Sequence, residues 1–311
     1  MTLTQLSYIV AVDKYRHFAT AAQKIYITQP TLSMQIQKLE DELGVLIFDR
    51  SKTPVVPTAM GERIIEQAKV ILSGSKHIED MAAVKEDGTL SGSFRIGIIP
   101  TIAPYLVPLF LKNFVNRHPG VRLVFEEALT ADVLEGLQED HFDAGIIATP
   151  STQHLFEEDL FLEPFLGYVN TTHPFVEKEK LCVDDLYSEE LWLLNEGHCF
   201  RDQTVKLCKQ TNEKAKKAPI TFDSGNLETL KRLVENDFGV TLMPFLAMHD
   251  YDTRCANGVV KEFLEPIPTR KVRLVYSREF LKQNIIQAFA QVIRDSVPEE
   301  LLHQREELVM E

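Results

Sequence analysis

The amino-acid sequence predicts an α/β protein built from a small helical head with a two-stranded wing, one long helix, and a larger domain of alternating strands and helices. Three observations carry this. Residues 1–44 hold three short helical patterns in quick succession, residues 59–85 carry one apolar stripe at helical spacing, and beyond residue 93 short apolar runs alternate with helical patterns as far as Tyr276.

In the head, Leu3, Leu6, Ile9 and Val10 space a first helix, Phe18–Ile25 forms a short alanine-rich second, and Tyr26–Thr28 is a turn. Thr28 can cap a third helix with its hydroxyl, Pro30 is tolerated in the first turn, and Gly44 can end the helix in a left-handed conformation. Leu32, Ile36, Leu39 and Leu43 supply its buried stripe. Val45–Phe48, a polar turn over residues 49–54 and Val55–Pro57 then suggest a β wing. Thr58 can cap a helix running to about Lys85, with Ile64, Ala68, Ile71, Leu72, Ile78 and Ala82 along one side; a helix this long with a single stripe packs on another copy of itself. Residues 86–93, with two glycines and two serines, read as a hinge. Strands are expected at 94–99, 121–125, 143–147, 167–169, 191–194, 240–242 and 272–276, an arrangement that places ligands at the carboxyl ends of strands. The charged stretch 298–311 reads as a helix or a frayed end.

The 311 residues are 44% apolar, enough for two or three cores without disulfide staples. No run approaches the roughly 18 apolar residues of a membrane span, and residues 1–17 lack the marks of a secretory leader, so a cytoplasmic protein without a membrane partner is expected. In that reducing compartment the four cysteines (182, 199, 208 and 255) are no structural disulfide framework. Residues 1–62 balance six Lys/Arg against six Asp/Glu, so the whole net charge of −13 lies beyond them and only the head can approach phosphates without repulsion. No Walker loop, zinc-protease or dinucleotide motif occurs, and the S-x-x-K run at Ser73–Lys76 lacks its partner motifs, so neither an enzyme nor a cofactor is expected.

A recognition helix needs small polar side chains at its N-terminal end and basic residues near phosphates. Thr28, Gln29, Thr31, Ser33 and Gln35, with Pro30 setting the first turn, supply the former; Lys38, Arg50 and Lys52 supply the latter. Singly, each is as well read as a solvated surface residue. The tri-helical layout with a basic wing tip is the stronger signal.

The run GHCFRDQTVKLC (197–208) places two cysteines nine positions apart. In a helix these lie about 13.5 Å apart along the axis and on opposite sides, whereas a disulfide needs Cα atoms roughly 4.4–6.8 Å apart. If the segment is helical when reduced, joining the pair must unwind it. Cys199 at the helix start, beside the potential cations His198 and Arg201, is placed to favour thiolate. Three readings stay open on the residues alone: a redox switch, ordinary buried thiols, and a zinc site, for which no second close ligand pair exists.

Phe18–Phe48, FATAAQKIYITQPTLSMQIQKLEDELGVLIF, resembles the winged helix-turn-helix of LysR-type transcriptional regulators in its Ala-Ala pair, Thr-Gln-Pro, Ser, Lys-Leu-Glu and Leu-Gly. The resemblance implies a DNA-binding domain at 1–58, a linker and dimerisation helix at 59–87, and an effector domain at 88–311. That domain would be periplasmic-binding-protein-like, with lobes 88–163 plus 268–311 and 164–267 and crossing segments near residues 164 and 268. Implied partners are double-stranded DNA, the chain itself as dimer or tetramer, and RNA polymerase.

GHCFRDQ with a cysteine nine positions after its first, together with IIPTIAPYLVP (98–108), LETLKRLV (227–234) and GVTLMP (239–244), is similar to the peroxide-sensing members of that family. This implies hydrogen peroxide as effector, Cys199 as the reactive thiol, Cys208 as the resolving one, a reversible disulfide between them, and a cellular thiol reductant. It also implies a peroxide site of Thr101, Thr130, His198 and Arg270, with Arg201 supporting the thiolate. Thr101 is equally compatible with capping a helix that starts near Ala103. Ile102–Ala103 and Lys206–Leu207 depart from the pattern, and Cys182 and Cys255 have no assigned role. Alternatives are a regulator of the same fold switched by a small organic ligand between the lobes, and a thiol peroxidase, in which the DNA-reading head would have no place.

Overall fold

The computed structural model describes residues 1–82, 89–151, 155–187, 191–208, 225–249, 257–277, 282–303 and 308–310. Residues 83–88 at the helix-to-hinge passage, Cys255 and the side chain of Cys208 lie outside the described residues. The chain forms two compact units, Met1–Val84 and Lys85–Glu311.

In the first unit, α1 (Leu3–Tyr15), α2 (Phe18–Lys24) and α3 (Gln29–Leu43) enclose Leu6, Ile9, Val12, Ala21, Leu32, Ile36 and Leu39. Thr28 caps α3 by accepting the Thr31 N–H, and Gly44 closes it at φ 68°. Leu43, expected on the buried stripe, is exposed, and Glu40 is buried instead. That carboxylate has work at the wing: it accepts the N–H groups of Ile47 (2.8 Å) and Phe48 (3.2 Å) and pairs with Arg50 at 2.8 Å. The wing is β1 (Phe48–Asp49) antiparallel to β2 (Val56–Pro57). Helix α4 (Ala59–Ala82) starts where the Thr58 hydroxyl accepts the Gly61 N–H. Ile65 and Ala68 are buried in the head's core, whereas Val70, Ile71 and Ile78 are exposed on the single chain.

The second unit runs β3 (Gly92–Ile98), α5 (Ala103–Arg117), β4 (Val121–Glu127), α6 (Thr130–Gln138), β5 (Ala144–Ile147), β6 (Phe156–Asn170), β7 (Leu191–Trp192) and α7 (Cys199–Cys208). Then follow α8 (Leu227–Glu235), β8 (Val240–Pro244), α9 (Phe245–Met248), β9 (Gly258–Lys261), β10 (Pro268–Tyr276), α10 (Gln283–Arg294), α11 (Glu299–Leu302) and β11 (Leu308–Val309). Strand order is β4-β3-β5-β10-β6-β8-β7, with β9 added on β6 and β11 on β10. The stretch from residue 298, expected as a helix or a frayed end, thus contributes a strand as well as a short helix.

Two apolar cores flank the long strand β6. Phe94, Phe110, Phe114 and Phe289 centre the first, and Phe165, Tyr168, Leu230 and Phe263 the second. The first half of β6 pairs antiparallel with β10, the second half with β8 and β9, so this strand passes from one core to the other. Only its last residues, 167–169, were legible as strand. The first half is acidic, and its charges are met by cations: Glu157 by Arg273, Glu158 by Arg294, Asp159 by Lys271. No helix among the described residues is long and apolar enough to cross a membrane.

Candidate functional site

The GHCFRDQTVKLC segment is helical: α7 runs from Cys199 to Cys208, which sets the two Cα atoms about 13.5 Å apart along the axis and on opposite sides. Gly197 turns the chain into it at φ 94°, a conformation that favours glycine, and a Cβ there would meet Leu129 Cδ1 at 3.0 Å. The carbonyl of His198 accepts the N–H groups of Arg201 (3.0 Å) and Asp202 (3.3 Å), making Cys199 the first residue of the helix.

Cys199 is a free thiol, 8% exposed, and packs in the first core, while its neighbour Phe200 packs in the second. The start of α7 therefore joins the two cores. Burial pushes the Cys199 thiol above its ordinary range; the Arg270 charge, the Thr130 hydroxyl and the Phe200 N–H pull it back, and Asp202 adds a smaller push upward. The helix start at Cys199 favours a thiolate, and desolvation of the buried sulfur acts against it. Thr130, at the first turn of α6, keeps its Oγ1 buried without a regular hydrogen-bond partner, so its pull on the sulfur is a weak one.

Arg270 organises the rest. It is 1% exposed, and its Nε (2.8 Å) and Nη2 (2.7 Å) contact Glu163 Oε2, its register partner across β6 and β10. Nη1 donates to Thr101 Oγ1 at 2.9 Å, Nη2 to the Thr101 carbonyl at 3.1 Å, and the guanidinium lies 5.3 Å from the centre of the Phe200 ring. The other Glu163 oxygen accepts the Leu246 N–H at 2.8 Å, so the buried carboxylate is fully engaged. Thr101 does not cap α5: Ile102 is the N-cap, with no side-chain cap bond.

Burial lowers the His198 imidazole, which disfavours its charged form. Arg201 is reassigned. It faces Glu196 (3.6 Å) and Asp202 (3.7 Å), and the cation acting on the sulfur is Arg270. Thr101, Thr130, Arg270 and Cys199 are thus brought together. Sequence reasoning missed Glu163, Gln203 and the pairing of Tyr105 with Glu228, whose burial, charge and hydrogen bond raise the tyrosine hydroxyl above its usual range. The signal for Glu163 was available, since a lone carboxylate inside Phe161-Leu162-Glu163-Pro164-Phe165 needs a buried counter-charge.

In the head, Gln29, Pro30 and Lys38 are exposed on α3 and Lys52 on the wing. The hydroxyls of Thr28 and Thr31 meet at 2.8 Å, and Gln35 Oε1 accepts from Gln5 at 3.4 Å. Arg50 is committed to Glu40, to the Ser33 hydroxyl at 3.3 Å and to the Phe18 ring, so it fixes the wing against α3.

Residues 3–62 match the bacterial regulatory helix-turn-helix protein, lysR family, and residues 87–298 match the LysR substrate binding domain. The chain is 34% identical over 298 residues to the hydrogen peroxide-inducible genes activator of Haemophilus influenzae, covering 96% of this chain and 97% of that one. It is 36% identical to the DNA-binding transcriptional dual regulator OxyR of Escherichia coli over 278 residues, 89% of each. Among solved structures, a full-length OxyR variant from Pseudomonas aeruginosa is similar with a TM-score of 0.75 at 35% identity, covering 96% of this chain and 99% of that chain. A Corynebacterium glutamicum OxyR mutant bound to hydrogen peroxide matches with a TM-score of 0.63 at 30% identity, covering 95% and 92%.

Proposed function

The chain belongs to the LysR family of bacterial helix-turn-helix regulators, and from that premise we propose that it activates transcription in response to hydrogen peroxide, switching through a reversible Cys199–Cys208 disulfide. Relatives named for peroxide-inducible activation, matched along nearly the whole chain, support the effector. The observation that carries the mechanism is the placement of α7, whose first residue sits in one core and whose second sits in the other.

In this reading peroxide is held at Cys199 by the Thr101 and Thr130 hydroxyls and by His198, with Arg270 supplying the positive charge. The sulfur lone pair attacks one peroxide oxygen, the O–O bond breaks, and the thiol proton leaves with the other oxygen as water, so thiol plus peroxide gives sulfenic acid plus water. The Cys208 sulfur then displaces that hydroxyl, giving the disulfide and a second water. A cellular dithiol restores both thiols by exchange and is itself oxidised. Because α7 holds the pair about 14 Å apart, closure must undo the helix.

The head meets operator DNA through the N-terminal turn of α3 and the wing, with Gln29, Lys38 and Lys52 the exposed contacts, and the exposed Val70, Ile71 and Ile78 of α4 support self-association. A dimer, or a tetramer, then carries the switch to DNA and to RNA polymerase. The deciding experiment compares promoter footprints and thiol state before and after a small excess of peroxide, in the natural sequence and in Cys199→Ser and Cys208→Ser. Peroxide should shift the footprint only when both cysteines are present. Identical footprints in oxidised and reduced protein would sink the reading, and a response surviving in Cys199→Ser would point to a ligand between the lobes.

A further inference from the structure

Gln203, midway along α7, is 1% exposed, and its side-chain amide joins two distant parts of the chain. Nε2 donates to the Ala148 carbonyl, just after β5 in the first core, at 2.8 Å, and to the Met310 carbonyl at 2.7 Å. Met310 follows β11, which adds in parallel to the edge of β10 at Pro268 and Thr269, and its N–H donates to the Thr269 carbonyl at 2.8 Å. Leu308 and Met310 pack on the second core. The strand therefore sits on the crossing segment next to Arg270 and is tied to α7 by one buried amide, both of whose donors are used.

Resting on the disulfide reading above, we infer that residues 308–310 form a clasp gated by the redox state of α7, with Gln203 as the positioning residue that closes it. The helical turns that aim Gln203 at Met310 lie inside the loop that a Cys199–Cys208 bridge would close. Bringing Cα atoms from about 14 Å to within roughly 7 Å cannot leave that amide on both carbonyls. Oxidation releases the clasp; conversely, the docked clasp favours the dithiol. By linkage, a device that stabilises the reduced form makes the pair a stronger oxidant, so removing it lowers the midpoint potential.

Two variants probe the clasp from its two ends in the full chain: Gln203→Leu removes the donor on α7, and Met310→Asp undocks the strand while leaving α7 unchanged. Hydrogen exchange of amides 308–310 should be slow in the reduced natural protein, and fast in both reduced variants and in the oxidised natural protein. Redox titration of the Cys199–Cys208 pair should shift by about tenfold in its equilibrium constant, about 30 mV more negative, in both variants. Strand exchange that is equally slow in reduced and oxidised natural protein, with the bridged peptide confirmed by mass, overturns the gating. So does an unchanged midpoint in Met310→Asp, which a purely structural role for Gln203 would give. Failure of the disulfide reading is recognised separately, by the absence of any bridged peptide after peroxide.

Discussion

Replacing Arg270 by methionine separates what its charge does for the fold from what it does for the thiol. The guanidinium makes four polar contacts of 2.7–3.1 Å with Glu163 and Thr101, and both charged residues are at most 1% exposed. Removing one member of such a pair leaves a buried carboxylate with only the Leu246 N–H, a loss of about 3–5 kcal/mol. For a unit of this size that lowers the melting temperature by about 6–20 °C. The double variant Arg270→Met with Glu163→Gln has no stranded charge and keeps an acceptor for Leu246, so most of the stability should return. The thiol should behave differently. Arg270 is the main pull against desolvation at Cys199, so in both variants the thiol rises further, and each pH unit of rise cuts the thiolate about tenfold. Thermal unfolding by circular dichroism and stopped-flow thiol oxidation by peroxide read the two effects. A double variant that regained the peroxide rate along with stability would refute the assignment of Arg270 to the sulfur.

Because burial raises the Cys199 thiol, peroxide oxidation at this residue should still be accelerating at pH 8.5; a plateau below pH 8 would contradict it. The same sign applies to stability: the fold prefers the protonated thiol, so the contribution is present below the ordinary thiol range and is lost as pH rises through the higher folded value. Gly197→Ala places a Cβ at φ 94° against Leu129; a cost of about 1–2 kcal/mol should appear in denaturant titration, with slower peroxide oxidation. Glu40→Ala strands the Ile47 and Phe48 N–H groups and unties Arg50. It should cost the head about 2–4 kcal/mol and weaken operator binding, with the unfolding of the second unit unchanged. In Cys208→Ser, where oxidation stops at the sulfenic acid, exchange of the amides at the start of α7 should speed up after peroxide; unchanged exchange would mean that only bridge formation moves the helix.

The head was legible almost residue by residue, because caps, turn residues and apolar spacing are local: Thr28, Gly44 and Thr58 fall where such residues end or begin helices. The helix at 199–208 was suggested by its glycine-led start but left open on the sequence. Its surroundings were not legible. That Cys199 meets Arg270, 71 positions away, depends on β10 and β6 crossing between two cores, and nothing local in Pro268–Tyr276 says which face Arg270 presents. Local sequence shows the helix end at Cys199 but not the depth of burial that opposes it. Strand β11 was invisible, since two residues beside a charged stretch carry no periodicity; only a parallel edge on β10 makes them a strand.

Burial of Cys199 and the helical separation of the two cysteines answer different requirements of a sensor. A thiol held protonated inside an apolar core reacts poorly with bulky or charged oxidants, and a small neutral one that can replace packing against Thr101 and Thr130 gains entry. Once oxidised, the sulfur carries a polar hydroxyl in the first core, which costs about 1–3 kcal/mol wherever Thr130 and its neighbours leave it unsatisfied. Phe200 remains fixed in the second core by its packing on Phe165, at 4.9 Å between ring centres, and by the guanidinium beside it. The strain therefore falls on the one peptide link between residues 199 and 200, at the glycine-led start of α7. That is where the helix must open if Cys208 is to reach the sulfur. Burial, which makes the resting thiol less acidic, is on this account also what makes its oxidised form costly to keep where it was made.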